Sequence, residues 1–297
     1  MHALDPAASE FRIPESPELL AHGARIRAAE RAAFVLSAAI VVLMVAASLA
    51  GLLVADLYDE DRWATEALRG GDLVTLALAA PLLLGAVVLA LRGSTRARMV
   101  WIGVLAYAVY DAAFYVFGTT FNDAFLVHIA WLSCSIFALA CAIVSTDLVP
   151  VARTFARIQG ARWVGGFLAL VGVMQGMLWL VVLARNVTSG TLIADVPADG
   201  QHLVFALDLT LLVPSLVLAG VLLFRRVAFG YLLGAAMAVM GAVYQVNLLA
   251  AGVFQARADV AGSTAFAPES VGLTLAFTIA ALFLLVPRRS TQGRAIS

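Results

Sequence analysis

The chain is 297 residues long, 63% apolar and only 13% charged, with a mean hydropathy of +0.97 and a formal net charge of +0. Water-soluble globular domains carry about 25% charged residues, so neither a soluble catalytic domain nor a basic nucleic-acid-binding surface fits this composition. The expected partner is the lipid bilayer, and no nucleic acid is expected.

Crossing about 30 Å of hydrocarbon takes roughly 17 to 25 helical residues. Eight runs of this kind occur, at 33–55, 72–91, 99–117, 124–145, 163–184, 203–224, 228–252 and 270–286. They lack the alternation of barrel strands, and an apolar run in lipid must satisfy its own backbone hydrogen bonds, so all eight read as helices. The expected fold is an all-α polytopic membrane bundle of eight transmembrane helices. The stretch before the first run is polar and the run itself is long enough to span, so no cleavable leader is expected. In "PELLAHGARIRAAERAAF", Leu19, Leu20, Ile26 and Phe34 alternate with Arg25, Arg27, Glu30 and Arg31 at helical spacing. This segment either lies along the membrane surface before turning in or is a solvated lead-in to the first span.

All nineteen cationic side chains are arginine. The absence of lysine excludes Schiff-base chemistry, which needs a lysine amine. Fifteen arginines precede the first span or lie in the second, fourth and sixth loops and the tail; the alternate set holds Arg62, Arg69, Arg185 and Arg257. By the positive-inside rule both termini are cytoplasmic, which agrees with an even helix count, and the expected location is the plasma membrane.

A shift of 133 residues sets "ALAAPLLLGAVVLALR" (77–92) against "TLLVPSLVLAGVLLFR" (210–225), so that Pro81 meets Pro214 and Arg92 meets Arg225. "GGDLV" (70–74) likewise falls near "GQHLV" (200–204). The organisation read from this is a four-plus-four tandem repeat: residues 1–32 as a cytoplasmic segment, 33–158 and 159–287 as the two halves, and 288–297 as a cytoplasmic tail. An even repeat gives both halves the same orientation. The match between the fourth and eighth spans is poor. Pro81 and Pro214 lie inside spans, where each removes a backbone hydrogen bond and is expected to bend its helix.

With that orientation, the polar residues within the spans gather toward the outer leaflet. Asp111, His128 and Asp208 lie roughly 5 to 10 Å below the surface at 1.5 Å per residue, and Gln245 and Asn247 occupy the outer third of the seventh span. Tyr107, Tyr110, Asp111, Phe114, Tyr115 and Gly118 follow helical spacing and form one stripe. A carboxylate in lipid is costly, so Asp111 is expected to face a polar vestibule, with Tyr107, Tyr110 and Tyr115 as hydroxyl donors to it. The short link "GTTFND" makes the third and fourth spans a hairpin and His128 an expected neighbour of Asp111. The candidate ligand-binding set is Asp111, Tyr107, Tyr110, Tyr115, His128, Asp208, Tyr244, Gln245 and Asn247. Each also has a plain structural role as an interhelical anchor. "DLYDEDRWATE" (56–66) reads as a solvated external cap or as a cation funnel.

Known chemistries leave little trace. Asp111, His128, His202 and Asp208 are ligand types, but no HExxH and no histidine pair at i, i+4 occurs, so no metal is expected. The four-plus-four layout is similar to that of haem A synthases. That family uses transmembrane histidines in both halves, whereas the second and eighth spans here have none, so no haem or other cofactor is expected. Cys134 and Cys141 lie about 10 Å apart along one helix, too far to bridge. Three functional classes follow: a permease-like or ligand-binding protein taking a small molecule or ion, a non-catalytic subunit or assembly factor with a membrane-protein partner, and a membrane-embedded enzyme at the outer leaflet.

Overall fold

The computed structural model describes residues 17–155, 158–194 and 196–286; the expected tail at 288–297 and the first part of the 1–32 segment lie outside the described residues. The helices in chain order are α1 (Pro17–Leu53), α2 (Arg62–Leu91), α3 (Thr95–Gly118), α4 (Phe125–Val144), α5 (Leu148–Phe155), α6 (Ala161–Ser189), α7 (Ala198–Phe224), α8 (Ala228–Arg257) and α9 (Pro268–Leu285). No strand is present among the described residues. All except α5 are long and apolar enough to cross a membrane, which marks the chain as a multi-pass integral membrane protein. The number of spans is the eight expected.

The spans are longer than hydropathy alone indicates, because polar turns at their ends continue the helical ladder. α2 begins ten residues earlier than its apolar run, at Arg62, where Asp61 caps it by accepting a hydrogen bond from the Ala64 N–H at 3.0 Å. The segment before the first span does not turn in from the membrane surface: α1 is one continuous helix from Pro17 to Leu53. Alanine, arginine, glutamate and leucine favour helix throughout this stretch, and no proline interrupts it.

α3 and α8 form the centre of the bundle. Their most apolar windows are 67% buried, against 17% for α6. α3 packs on α2, α4 and α8; α8 also touches α2, α7 and α9, while α1 lies on α4 and α6 on α7. At the end that carries the helix termini near Arg98, α1, α3 and the end of α4 are stapled together. Arg98 pairs with Glu30 of α1 and donates to the Ser145 carbonyl after α4 at 3.3 Å. Trp101 donates to Ser37 Oγ at 2.8 Å and stacks on Phe34 at 4.5 Å. In the other half, the Tyr231 hydroxyl of α8 donates to the Leu284 carbonyl of α9 at 2.6 Å.

The in-span prolines act through one widened turn each. Pro81 and Pro214 have no N–H to give the carbonyl four residues back, so the ladder slips by one. The Ala80 N–H reaches the Thr75 carbonyl, and the Val213 N–H reaches that of Asp208, each five residues back. The widened turns span Thr75–Ala79 and Asp208–Leu212, and both begin with a buried polar side chain.

α2 crosses α8 closely at Gly70, where a Cβ would sit 2.6 Å from the Ala251 nitrogen and 2.7 Å from its Cα. Gly70→Ala should therefore force the two backbones apart and lower unfolding stability in detergent by about 1 to 3 kcal/mol. Gly85→Ala, where a Cβ meets nothing within 4 Å, should be neutral or slightly stabilising in the same thermal unfolding measurement.

Candidate functional site

Three carboxylates are buried in the bundle, Asp72, Asp111 and Asp208, with 0%, 5% and 2% exposure. Ion pairs among the described residues join Arg69 to Glu66 and Arg98 to Glu30, so none of the three is in contact with an arginine. Each is instead held by neutral donors, and α3 sends a different tyrosine to each cluster. Charge-assisted bonds of this kind offset the cost of taking a carboxylate out of water.

Asp111 of α3 receives the Thr75 hydroxyl of α2 at 3.0 Å and the Asn247 amide of α8 at 2.9 Å. Tyr107, one turn below it on α3, accepts from the same Asn247 amide at 2.9 Å and lies 3.2 Å from the Thr75 hydroxyl. Asp72 of α2 receives Tyr115 at 3.0 Å and Tyr58 at 2.8 Å. Tyr58 lies in the loop before α2, where burial and then the adjacent Asp72 charge hold its hydroxyl proton on well beyond the usual tyrosine range. Asp208 begins the widened turn of α7 and receives Tyr110 of α3, Trp179 of α6 at 2.7 Å and Gln175 of α6 at 3.1 Å.

A cavity of about 1180 Å³ opens where the loops at 54–61, 119–124, 190–197 and 258–267 converge. Asp111, Tyr115, Tyr244 and Asn247 line it, while Tyr107, Tyr110, His128, Asp208 and Gln245 do not. Asp59, Glu60, Asp61 and Asp199 stand along its wall. Glu60 also clamps two of the loops, accepting from the Thr120 N–H at 2.6 Å and its hydroxyl at 3.1 Å. Gln255 of α8 donates to the Trp63 carbonyl at 2.9 Å and ties the α2 entry to the same wall.

The expected stripe on α3 thus splits. Tyr107 stays in the Asp111 cluster, Tyr110 turns to Asp208, and Tyr115 turns to Asp72. Successive helical residues point about 100° apart, and a long phenol follows whichever neighbouring helix offers an acceptor. His128 does not reach Asp111: its ring packs against Tyr115 at 4.9 Å, and both nitrogens are buried without a hydrogen-bond partner. Tyr244 sits edge-on to Tyr110 at 5.0 Å. Gln245 is buried with its Oε1 unpartnered. Cys134 and Cys141 are free and partly buried.

Asp72, Tyr58, Thr75, Gln175 and Trp179 escaped the sequence reading. Asp72 stood at the limit of an apolar run and so looked like an end residue. Its carboxylate packs against Gly51 of α1, where a Cβ would collide with it, and under the Tyr58 and Tyr115 hydroxyls, partners that no spacing along α2 reveals.

Removing one donor from a buried carboxylate leaves part of it unsatisfied. Tyr115→Phe should cost about 1 to 3 kcal/mol of unfolding stability, and Tyr244→Phe, whose ring is only partly buried, should cost less than about 1 kcal/mol. Equal losses in detergent unfolding curves would contradict the assignment of Tyr115 to Asp72. No protein-family model, curated protein or solved structure matches this chain.

Proposed function

We propose that the protein is a permease-like, ligand-binding protein of the plasma membrane, whose vestibule faces outward and takes up a small polar solute. The observation that supports this best is the coincidence of a deep cavity with a buried, hydrogen-bonded carboxylate on its surface, at Asp111. Ionisable groups inside a membrane bundle are expensive and mark ligand or proton pathways. A cavity of this size matches or exceeds those that enclose small molecules. The arginine distribution supports cytoplasmic termini, which turns the cavity mouth outward.

A four-plus-four repeat belongs to this reading. The widened turns begin at Thr75 and Asp208, separated by the same 133 residues that align Pro81 with Pro214. Each turn delivers a polar side chain to the centre, a device suited to binding sites at repeat interfaces. A second reading, a non-catalytic membrane subunit, draws on α6, whose face is largely uncovered, and on Asp208, which is fully bonded away from the cavity.

In proteoliposomes screened for uptake of a panel of small polar solutes, Asp111→Asn should lower flux at least tenfold while the unfolding midpoint stays within a few degrees. Unchanged flux would remove the permease reading. For orientation, in a Cys134→Ala, Cys141→Ala background, Asp61→Cys should react with an impermeant maleimide on intact cells, and Arg92→Cys only after permeabilisation. The reverse pattern would turn the vestibule inward.

A further inference from the structure

We infer that the ligand of this vestibule is a small organic cation, an ammonium compound seated against Asp111 and the side-chain oxygen of Asn247 among aromatic rings. This inference rests on the ligand-binding reading above and deepens it.

The charged lining comes first. Asp59, Glu60, Asp61, Asp111 and Asp199 face the cavity, and among the described residues His202 is the single imidazole and no arginine lines it. An anion would meet only repulsion there, and lined walls of one sign concentrate counter-ions. The innermost of these carboxylates, Asp111, is bonded by neutral donors and has no cation of the protein beside it.

The second observation is independent of the acidic residues. Asn247 is 8% exposed and lines the cavity. Its amide nitrogen gives both of its described bonds inward, to Asp111 and Tyr107. The carboxylate accepts and cannot donate when ionised, so the amide must turn its nitrogen toward it and its oxygen away. That oxygen has no hydrogen-bond partner among the described residues. It lies beside Gly71, which also lines the cavity and where a Cβ would sit 3.3 Å from Asn247 Oδ1, 3.4 Å from its Nδ2 and 3.1 Å from the Tyr115 hydroxyl. A nearly buried acceptor in the cavity lining, set beside a carboxylate, is complementary to a donor carrying positive charge.

The remaining lining selects among cations. Trp63, Phe114, Tyr115, Tyr244 and Phe266 all line the cavity, and aromatic faces attract ammonium groups. A hard metal ion requires a dense oxygen shell, six to eight ligands for calcium, and no group of three or more His, Cys, Asp or Glu residues that could hold a metal occurs among the described residues. The cavity volume suits a molecule rather than a bare ion.

The test uses the full chain purified in detergent, with thermal unfolding as the readout. Choline, tetraethylammonium and methylammonium are titrated against choline's uncharged carbon isostere dimethylbutanol, against acetate, and against matched sodium chloride. At least one ammonium compound should raise the unfolding midpoint in a saturable manner, with the uncharged isostere, acetate and sodium chloride silent. Asp111→Asn should weaken that binding at least tenfold. Gly71→Ala, which fills the space before the Asn247 oxygen, should weaken it severalfold; if Asp111→Asn fails to fold, Gly71→Ala carries the test. Saturable binding of a neutral or anionic solute, abolished by the cavity-filling Ala206→Trp, would sink the cation assignment and keep the vestibule. No saturable binding by any compound would sink both. An ammonium response equal to that of sodium chloride, or undiminished in both variants, would also overturn the inference.

Discussion

Three carboxylates lie in the bundle with no ion-pair partner among the described residues, and much of the architecture follows from that. An unpaired ion in a low-dielectric interior costs several kcal/mol, so each must be surrounded by neutral donors or surrender its charge. The donors come from four helices and one loop: Thr75 from α2, Tyr110 and Tyr115 from α3, Gln175 and Trp179 from α6, Asn247 from α8, and Tyr58 from the loop before α2. These bonds join helices far apart in sequence, and they require α3 to stand at the centre.

The prolines of α2 and α7 contribute through what they lack. A missing N–H moves one rung of each ladder and widens a turn, and the first residue of that turn faces inward. On α2 this residue is Thr75, which donates to Asp111; on α7 it is Asp208, which accepts from α3 and α6. The same backbone device therefore serves a donor in one helix and an acceptor in the other. Its effect is local, since α2 and α7 continue as spans beyond Pro81 and Pro214.

The three aspartates divide by access. Asp72 is sealed behind Tyr58 and Tyr115, and Asp208 is closed off by Tyr110, Trp179 and Gln175, so both serve as braces between helices. Asp111 alone joins a hydrogen-bonded cluster to the wall of the large cavity. The acidic loop "DLYDEDRWATE" has a double role on the same wall: Asp61 caps α2, Glu60 clamps Thr120, and Tyr58 reaches inward to Asp72. The segment thus caps α2, clamps a neighbouring loop and lines the cavity.

The sequence by itself determined the solvent and the spans. Length and hydropathy are additive along the chain, so eight crossings could be read without knowing how any helix packs. It also placed Asp111, Asp208 and Asn247 within spans, because a polar residue in an apolar run stands out whatever its neighbours are. Only the tertiary structure decided which tyrosine serves which carboxylate, that His128 packs on Tyr115 instead of joining Asp111, and that Asp72 is buried. Those outcomes depend on the rotation and closeness of neighbouring helices, set by contacts such as Gly70 on Ala251 and by widened turns at two prolines. Spacing along one helix fixes the direction in which a side chain leaves its backbone, while the acceptor it reaches belongs to another helix.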